Sequence, residues 1–466
     1  MGRLVFASAL LVFLLAAFPW HVKADDYEGE ALHRYPALRT FWREFTTEVG
    51  THMPPWLRRR YVTGNWEGQR NTLAAWGINP TVTYVTNILG NPLGGKRHKI
   101  AYDDNIGVDI NVDLEKSLGL AGLVFHVSGS SRSGQDLSAL ALDNTFTASN
   151  IYGGETVRLY ALHVEQSLFA DKVSLLLGRF GAGDEFLTSP LYSLFLNAAF
   201  NGNPISVPIN VPAFSYYPFA QWGVRATVKP TEEWYGMGAV YNGDTTLARN
   251  SAHGVDFSLR HDSEVFVIGE IGYTPNSGPA SVGLAGNYKL GGYYDSGTFQ
   301  DFYHDRKGGS YIRSGLPPAE KHGNYGLYVL VDQQVYREGG PGSDQGMTPF
   351  AGVTFAPSDI NTFPFFFMAG LAYDGLIPGR DRDTTAFGLA YGQFSNDLRR
   401  SQRASQSINS TSTGVQDFEM VIELTYQWEL SPCLIVQPDL QYSIQPGGTG
   451  SIPSALILGV QLAANF

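Results

Sequence analysis

Glu419 and Glu423 are the residues most like a hydrolytic pair, because glycoside hydrolysis needs two carboxyl groups facing one bond. They stand four apart in an alternating segment. A strand places them roughly 13 Å apart, too far for either hydrolysis geometry. His163 and Glu165 share one strand face, but no third metal ligand accompanies them, so they read as a pair on a wall rather than a metal centre. Gly90-Asn91-Pro92-Leu93-Gly94-Gly95-Lys96 has the spacing of a phosphate loop, yet Arg97 stands where Ser or Thr would bind the metal, and no helical pattern follows. Neither G-x-S-x-G nor H-E-x-x-H occurs. Cys433 is the one cysteine, which excludes an intrachain disulfide and a Cys-rich metal site. The sequence predicts no catalytic residue, no metal and no cofactor.

The elements that carry these residues repeat one pattern. From Ile106 to Glu115 every even position is apolar and every odd one is polar or Gly. Period two means a strand with one apolar face and one wet face. Phe418, Met420, Ile422, Leu424, Tyr426 and Trp428 likewise alternate with Glu419, Val421, Glu423, Thr425 and Gln427. From Leu434 to Ile444 the wet set is Gln437, Asp439, Gln441 and Ser443. Such strands exceed the usual five or six residues and match the ten or so that a tilted bilayer crossing needs. Strands are expected near 78–89, 105–115, 121–130, 155–167, 172–180, 219–229, 233–242, 264–274, 281–293, 324–336, 348–356, 364–374, 384–393, 416–429, 434–445 and 455–466, with 254–259 as a further candidate. Sixteen is even, as a closed barrel with both ends on one side requires.

Connections support the same architecture. Short links at 116–120, 168–171, 230–232 and 430–433 mostly alternate with long ones at 89–104, 131–154, 181–218, 294–323 and 394–415, while 337–347 and 375–383 are long for periplasmic turns. Trp222, Trp234, Tyr273, Tyr373, Tyr391, Tyr426 and Trp428 lie near strand ends on the apolar faces, as interfacial girdles do. The predicted fold is all-β: a transmembrane antiparallel β-barrel of sixteen strands with a short N-terminal helical extension. Charged residues are only 16% and aromatics 13%, and the net charge of −11 leaves no basic surplus for a nucleic-acid partner. Residues 1–24 read as a signal peptide cut before Asp25, with Arg3 ahead of an apolar run and Val22-Lys23-Ala24 at the cut. In 25–60, Leu38, Phe41, Trp42, Phe45 and Val49 keep helical spacing until Pro54 and Pro55. That segment is expected to be a periplasmic extension, either packed on the barrel base, or mediating assembly, or loosely ordered. Residues 61–466 form the barrel domain.

From about residue 62 the chain resembles the carbohydrate-selective porin (OprB-like) family. Gly64-Asn65-Trp66-Glu67-Gly68-Gln69-Arg70, then Leu73 and Gly77, is similar to the family's opening motif. Leu177-Gly178-Arg179-Phe180 followed by Gly183-Asp184-Glu185-Phe186 resembles its G-R-x-x-x-x-D-x-F element. Phe195-Leu196-Asn197-Ala198-Ala199-Phe200-Asn201-Gly202-Asn203-Pro204 resembles its loop motif, with Asn201 where cysteine is often found. Trp222-Gly223-Val224-Arg225, Ala239-Val240-Tyr241-Asn242-Gly243-Asp244 and Gln437-Pro438-Asp439-Leu440-Gln441-Tyr442 resemble later strands. The resemblance implies a sixteen-stranded outer-membrane barrel for passive sugar uptake, with glucose the typical solute.

In such a barrel the wet faces form the lumen. Sugars need hydrogen-bond donors and acceptors side by side, and aromatic faces for their C–H surfaces. Mixed signs make a polar constriction without a large ionic barrier, and binding must stay weak enough for release. Pore-lining candidates are Arg179, Asp184, Glu185, Asn197, Asn203, Arg225, Glu423, Gln437, Asp439 and Gln441. Arg179 shares the parity of Leu175 and Leu177, so a bulge or the membrane edge must turn it inward. The loop 181–218 carries Phe195, Phe200, Ile205, Val207, Val211 and Phe214, too apolar for free solvent. It is expected either to fold into the barrel or to contact a neighbouring subunit. The expected partners are small sugars and outer-membrane lipids, without nucleic acid, in a monomer or a homo-oligomer. A general diffusion porin, and an enzyme or polysaccharide-export component on the same barrel, are the competing functions.

Overall fold

The computed structural model describes residues 59–260, 263–278, 281–340, 342–409 and 414–466. The expected leader at 1–24 and nearly all of the expected extension at 25–60 lie outside the described residues. A short helix, α1 (Gln69–Ala75), leads into the first strand. In its first turn Arg70 lies between the rings of Tyr61 (3.9 Å) and Trp66 (4.1 Å) and donates to the carbonyl of Pro80 at 3.1 Å. The opening motif thus ties the start of the domain to the barrel end.

Sixteen long strands follow. They are β1 (Ile78–Leu93), β2 (Ile100–Asp113), β3 (Leu123–Gly134), β4 (Thr156–Leu168), β5 (Val173–Phe180), β6 (Gln221–Val228), β7 (Trp234–Asn242) and β8 (Val265–Tyr273). The second half is β9 (Gly286–Asp305), β10 (Pro318–Gln333), β11 (Gly346–Phe355), β12 (Phe365–Asp374), β13 (Thr384–Gln393), β14 (Phe418–Ser431), β15 (Leu434–Ile444) and β16 (Ala455–Asn465). Tyr336–Arg337 adds a two-residue ladder to the start of β11. Consecutive strands pair antiparallel, and β16 returns to pair with β1, Thr83 opposite Asn465 and Leu89 opposite Gly459. The barrel is closed. No helix among the described residues is long and apolar enough to cross a membrane; here the strands cross.

Every expected strand is present. The main differences are in length. Strands β9 and β10 run to 20 and 16 residues and absorb most of the expected loop 294–323. The expected loop 89–104 shrinks to the turn 94–99. Beyond the membrane both faces of a hairpin can be polar, so period-two hydrophobicity fades while the ladder continues. Segment 254–259 forms no strand. It folds back onto β4, where the Leu159 N–H donates to His253 O at 3.0 Å. Gly254, at φ +68°, is required there: a Cβ would sit 1.9 Å from Leu159 O.

The outer face carries a belt of exposed apolar residues, among them Ile88, Val108, Leu177, Val224, Val240, Ile271, Leu290 and Leu327. Aromatic rings cluster at both rims. Trp234, Tyr273 and Tyr288 stack at the end with the shorter turns, at 4.6 and 6.1 Å between centroids. Phe355, Phe365, Tyr391 and Phe418 form a chain at the opposite end.

The inner face is not uniformly wet. From β5 to β14 it presents Leu176, Phe180, Ala239, Tyr241, Phe266, Ile268, Tyr328, Leu330, Phe350, Phe366, Met368, Ala386 and Val421. Onto this apolar half folds the loop 181–220, burying Phe186, Tyr192, Phe195, Phe200, Val207, Val211 and Phe214. Gly388 on β13 makes room, since a Cβ there would lie 2.9 Å from the rings of both Phe195 and Phe200. The loop therefore fills one side of the lumen.

Substitution should distinguish the two faces. Val240→Arg places a guanidinium in the lipid belt and should cost about 2–4 kcal/mol of barrel stability. Thr83→Arg, on the inner face, should cost far less. Denaturant unfolding from lipid vesicles measures both; equal losses would contradict the assigned faces.

Candidate functional site

At the level of the inserted loop, the accessible inner wall belongs to β1–β5. Thr81, Thr83, Asp109, Asn111, His126, His163 and Glu165 retain solvent there. The ladder aligns them in rows: Asn111 opposite His126, and His126 opposite His163. A bulge in β4 opposite Val127–Gly129 shifts parity by one. It turns both Tyr160 and, further on, His163 and Glu165 inward. The imidazoles of His126 and His163 stack at 4.8 Å. His126 meets Asn111 Oδ1 through Nδ1 at 2.7 Å and lies 3.7 Å from Asp109 through Nε2.

The inserted loop supplies the opposite side of the passage. The short helical turn Ala182–Glu185 presents Asp184 and Glu185. Asp184 accepts a hydrogen bond from the Tyr160 hydroxyl. Enclosure by the barrel raises its carboxyl to about 6, against the pull of that hydrogen bond. Burial also raises Glu185, while the Arg225 charge pulls it down. Arg225, on β6, bridges Glu185 at 2.8 Å and Glu165 at 3.0 Å, and donates to Ser174 at 2.7 Å and Thr227 at 3.1 Å. Tyr216 exposes its ring at the loop's return, and Tyr217 lies under the Arg132 guanidinium at 4.9 Å and donates to Asn105 at 3.2 Å. This cluster combines cation, anion, imidazole, amide and aromatic surface around one opening.

Of the ten expected pore-lining residues, Asp184, Glu185 and Arg225 gather at this passage. The other seven are placed elsewhere. Glu423 accepts from the backbone N–H groups of Leu196 (2.6 Å) and Asn197 (3.2 Å). Asn197 donates to Phe146 O at 3.1 Å and Gln441 Oε1 at 2.9 Å. Gln441 donates to Ala148 O and to Asp439, both at 2.9 Å. Gln437 donates to Leu194 O at 2.7 Å. All five are buried. Glu423, Gln437, Asp439 and Gln441 face inward as their parity requires, but the inserted loop, Asn197 with it, and the segment 137–150 cover them. Glu419 does the same work for the second segment, accepting from Phe146 N (2.7 Å), Thr145 N (2.9 Å) and Gly447 N (2.8 Å). Asn203 shapes the loop itself, donating to the carbonyls of Gly183, Phe186 and Leu187 at 3.0–3.1 Å.

Arg179 keeps the outward parity of Leu175 and Leu177 and is not turned into the lumen. It pairs with Trp222 across the ladder and lies beneath Phe257, its guanidinium 5.5 Å from the ring. It donates to Gly254 O at 2.5 Å and to Asp256 O and Ala220 O at 3.4 Å. It thereby seals the wall where the chain leaves for the lumen. His126, Tyr160, Arg132, Tyr216 and Tyr217 were not singled out from sequence. The Asn111–His126–His163 row could have been found by aligning β2, β3 and β4; the loop tyrosines follow from no periodicity.

The clamp on the loop gives a direct test. Glu423→Ala leaves two buried N–H groups without their acceptor, a loss of about 1.5–3 kcal/mol for a charged hydrogen bond. The loop should loosen, so single-channel conductance and current noise should both rise. Unchanged conductance together with an unchanged melting temperature would show that Glu423 does not hold the loop.

The wall and its inserted loop match known proteins. Residues 97–466 match the family model for the carbohydrate-selective porin, OprB family. Porin B of Pseudomonas aeruginosa is 27% identical over 425 residues, covering 87% of this chain and 91% of that one. Putative porin QuiX of Acinetobacter baylyi is 24% identical, covering 88% and 93%. The high pH structure of Pseudomonas putida OprB superposes with a TM-score of 0.82 at 25% identity, over 88% of this chain and 99% of that one. This chain belongs to the carbohydrate-selective porin, OprB family, and is a channel of the bacterial outer membrane rather than an enzyme.

Proposed function

We propose that the channel passes glucose and other monosaccharides passively, and that the passage between the loop 181–220 and strands β1–β5 is where they are recognised. The observation that carries this reading is the mixed cluster at that passage. Arg225, Glu165, Glu185, Asp184, Asn111 and the two histidines offer donors and acceptors on both sides, and Tyr216 offers a ring face. A hexose can exchange its hydration shell for such groups piecewise, so the crossing needs no large desolvation step.

In this reading Glu423, Asn197, Asn203, Gln437, Asp439 and Gln441 shape the pore by fixing the loop, and Arg179 by sealing the wall. Asp184, Glu185 and Arg225 touch the solute. The apolar belt meets outer-membrane lipid. Residues 1–24 serve as a leader, 25–60 as a periplasmic extension and 61–466 as the barrel.

Planar-bilayer recording tests it. Glucose at millimolar concentration should reduce the current through a single channel in a saturable way. Arg225→Ala should weaken the block severalfold by freeing Glu165 and Glu185 from their shared partner. A current that falls only with solute size, without saturation, would instead identify a general diffusion porin.

A further inference from the structure

The arginines and the carboxylates around the passage are used in opposite ways. Four arginines are buried in the wall around it, Arg132, Arg158 and Arg225 and the outward-turned Arg179, exposed by only 6%, 6%, 6% and 2%. Each is engaged. Arg132 donates to Asn105 at 3.3 Å and Tyr152 O at 3.5 Å and covers Tyr217. Arg158 donates to Ala248 O at 2.5 Å and Arg249 O at 2.7 Å. Arg179 serves three carbonyls, and Arg225 two glutamates and two hydroxyls. The lumen-facing Lys289 is held on the loop's far side, by Thr188 O at 2.8 Å and Glu270 at 3.9 Å.

The carboxylates are presented to water. The Asp109 side chain is 39% exposed and that of Glu165 37%. Asp184 is exposed as well. Arg225 is shared between two glutamates, so it offsets one of them. Neither Asp109 nor Asp184 has an Arg or Lys partner among the described residues; their neighbours are His126 and the Tyr160 hydroxyl. The two aspartates come from different elements, Asp109 from β2 and Asp184 from the inserted loop. The charges that meet water in the passage are therefore carboxylates, while the guanidinium groups, though still charged, are withdrawn into the wall.

We propose that Asp109 and Asp184 are specificity-determining residues that make the channel favour sugars carrying an ammonium group, and small cations, over sugars carrying a carboxylate. This rests on the reading of the passage as the sugar pathway. A narrow opening with low-dielectric walls focuses the field of its uncompensated charges, raising the local concentration of cations and lowering that of anions roughly tenfold or more. The hydroxyl contacts are common to all hexoses, so charge is what separates them. The buried arginines spend their donors on the wall and on Glu165 and Glu185 and present no exposed fork to the lumen, which removes the usual means of binding a sugar acid.

The test uses the full-length protein in planar bilayers at neutral pH. Reversal potentials in a potassium chloride gradient should show potassium favoured over chloride by roughly five- to tenfold. At equal concentration glucosamine should block more strongly than glucose, and gluconate least. The Asp109→Asn/Asp184→Asn double variant keeps side-chain shape, and its heat-modifiable migration on gels reports that the barrel has formed. In that variant the ion preference should fall towards unity and the three solutes should block alike. A chloride preference, or a wild-type block by glucose that glucosamine and gluconate match, overturns the inference and leaves the sugar-channel reading in place. Absence of block by any of the three overturns the sugar-channel reading, while the reversal potential still decides the sign of the field. A double variant that folds and keeps the wild-type ion preference shows that other groups set it.

Discussion

The lipid around the barrel offers no hydrogen bonds, so each strand must find both neighbours within the chain. That constraint closes β16 onto β1, and closure divides every strand into a face for lipid and a face for the lumen. A closed sheet of sixteen strands is too wide for its own side chains to fill. What the interior then contains becomes a question of loops. The long connection after β5 solves it by entering the barrel, and the wall on that side has changed its chemistry to receive it. Phe266, Ile268, Leu330, Phe350, Phe366 and Met368 occupy inward positions that water would otherwise meet.

Two kinds of contact seat the loop, and they do different things. Apolar burial against β5–β14 supplies most of the adhesion but little direction, since aromatic and aliphatic surfaces slide over one another at small cost. Direction comes from buried carboxylates and amides on β14 and β15. Glu423 fixes Leu196 and Asn197, Gln437 fixes Leu194, and Glu419 fixes Thr145 and Phe146. A carboxylate accepting backbone N–H groups in a dry setting is strong and geometrically exacting, and an N–H left without it is costly. Loops that would otherwise wander are thus held in one place, which a passage of molecular dimensions needs.

The wall was legible in the sequence because its rule is local. Phe418 to Trp428 alternates with one exception, the inward Val421, and the register is consistent with an outward Phe418, Met420, Ile422 and Leu424. The same parity turns Glu423, Asp439 and Gln441 inward, but parity cannot tell whether an inward side chain meets water or a loop. Both outcomes look alike along the chain; they differ only through contacts between residues more than two hundred positions apart, such as Asn197 with Gln441. Strand lengths beyond the membrane escaped for a related reason: β9 and β10 continue as a ladder after their hydrophobic alternation has ended. Arg179 shows parity read too loosely. Its place among Leu175 and Leu177 already put it on the outer face, and the fold covers it there with Phe257 instead of rotating it.

The division of labour between arginine and carboxylate follows from the same geometry. Where the chain departs from the sheet, carbonyls lose their ladder partners, at Ala220, Ala248, Arg249 and Gly254 among others. Arginine, with five donors on a rigid fork, can satisfy several at once, and its charge is weakly hydrated enough to be withdrawn. Arg158 and Arg179 do this beside the opening. A carboxylate cannot serve carbonyls, since both are acceptors. Carboxylates therefore clamp N–H groups, as Glu423 does away from the opening, pair with Arg225, as Glu165 and Glu185 do, or stay in the water, as Asp109 and Asp184 do. A pore made by sending a loop inward uses up its cations in repairing the wall and leaves its anions facing the solute.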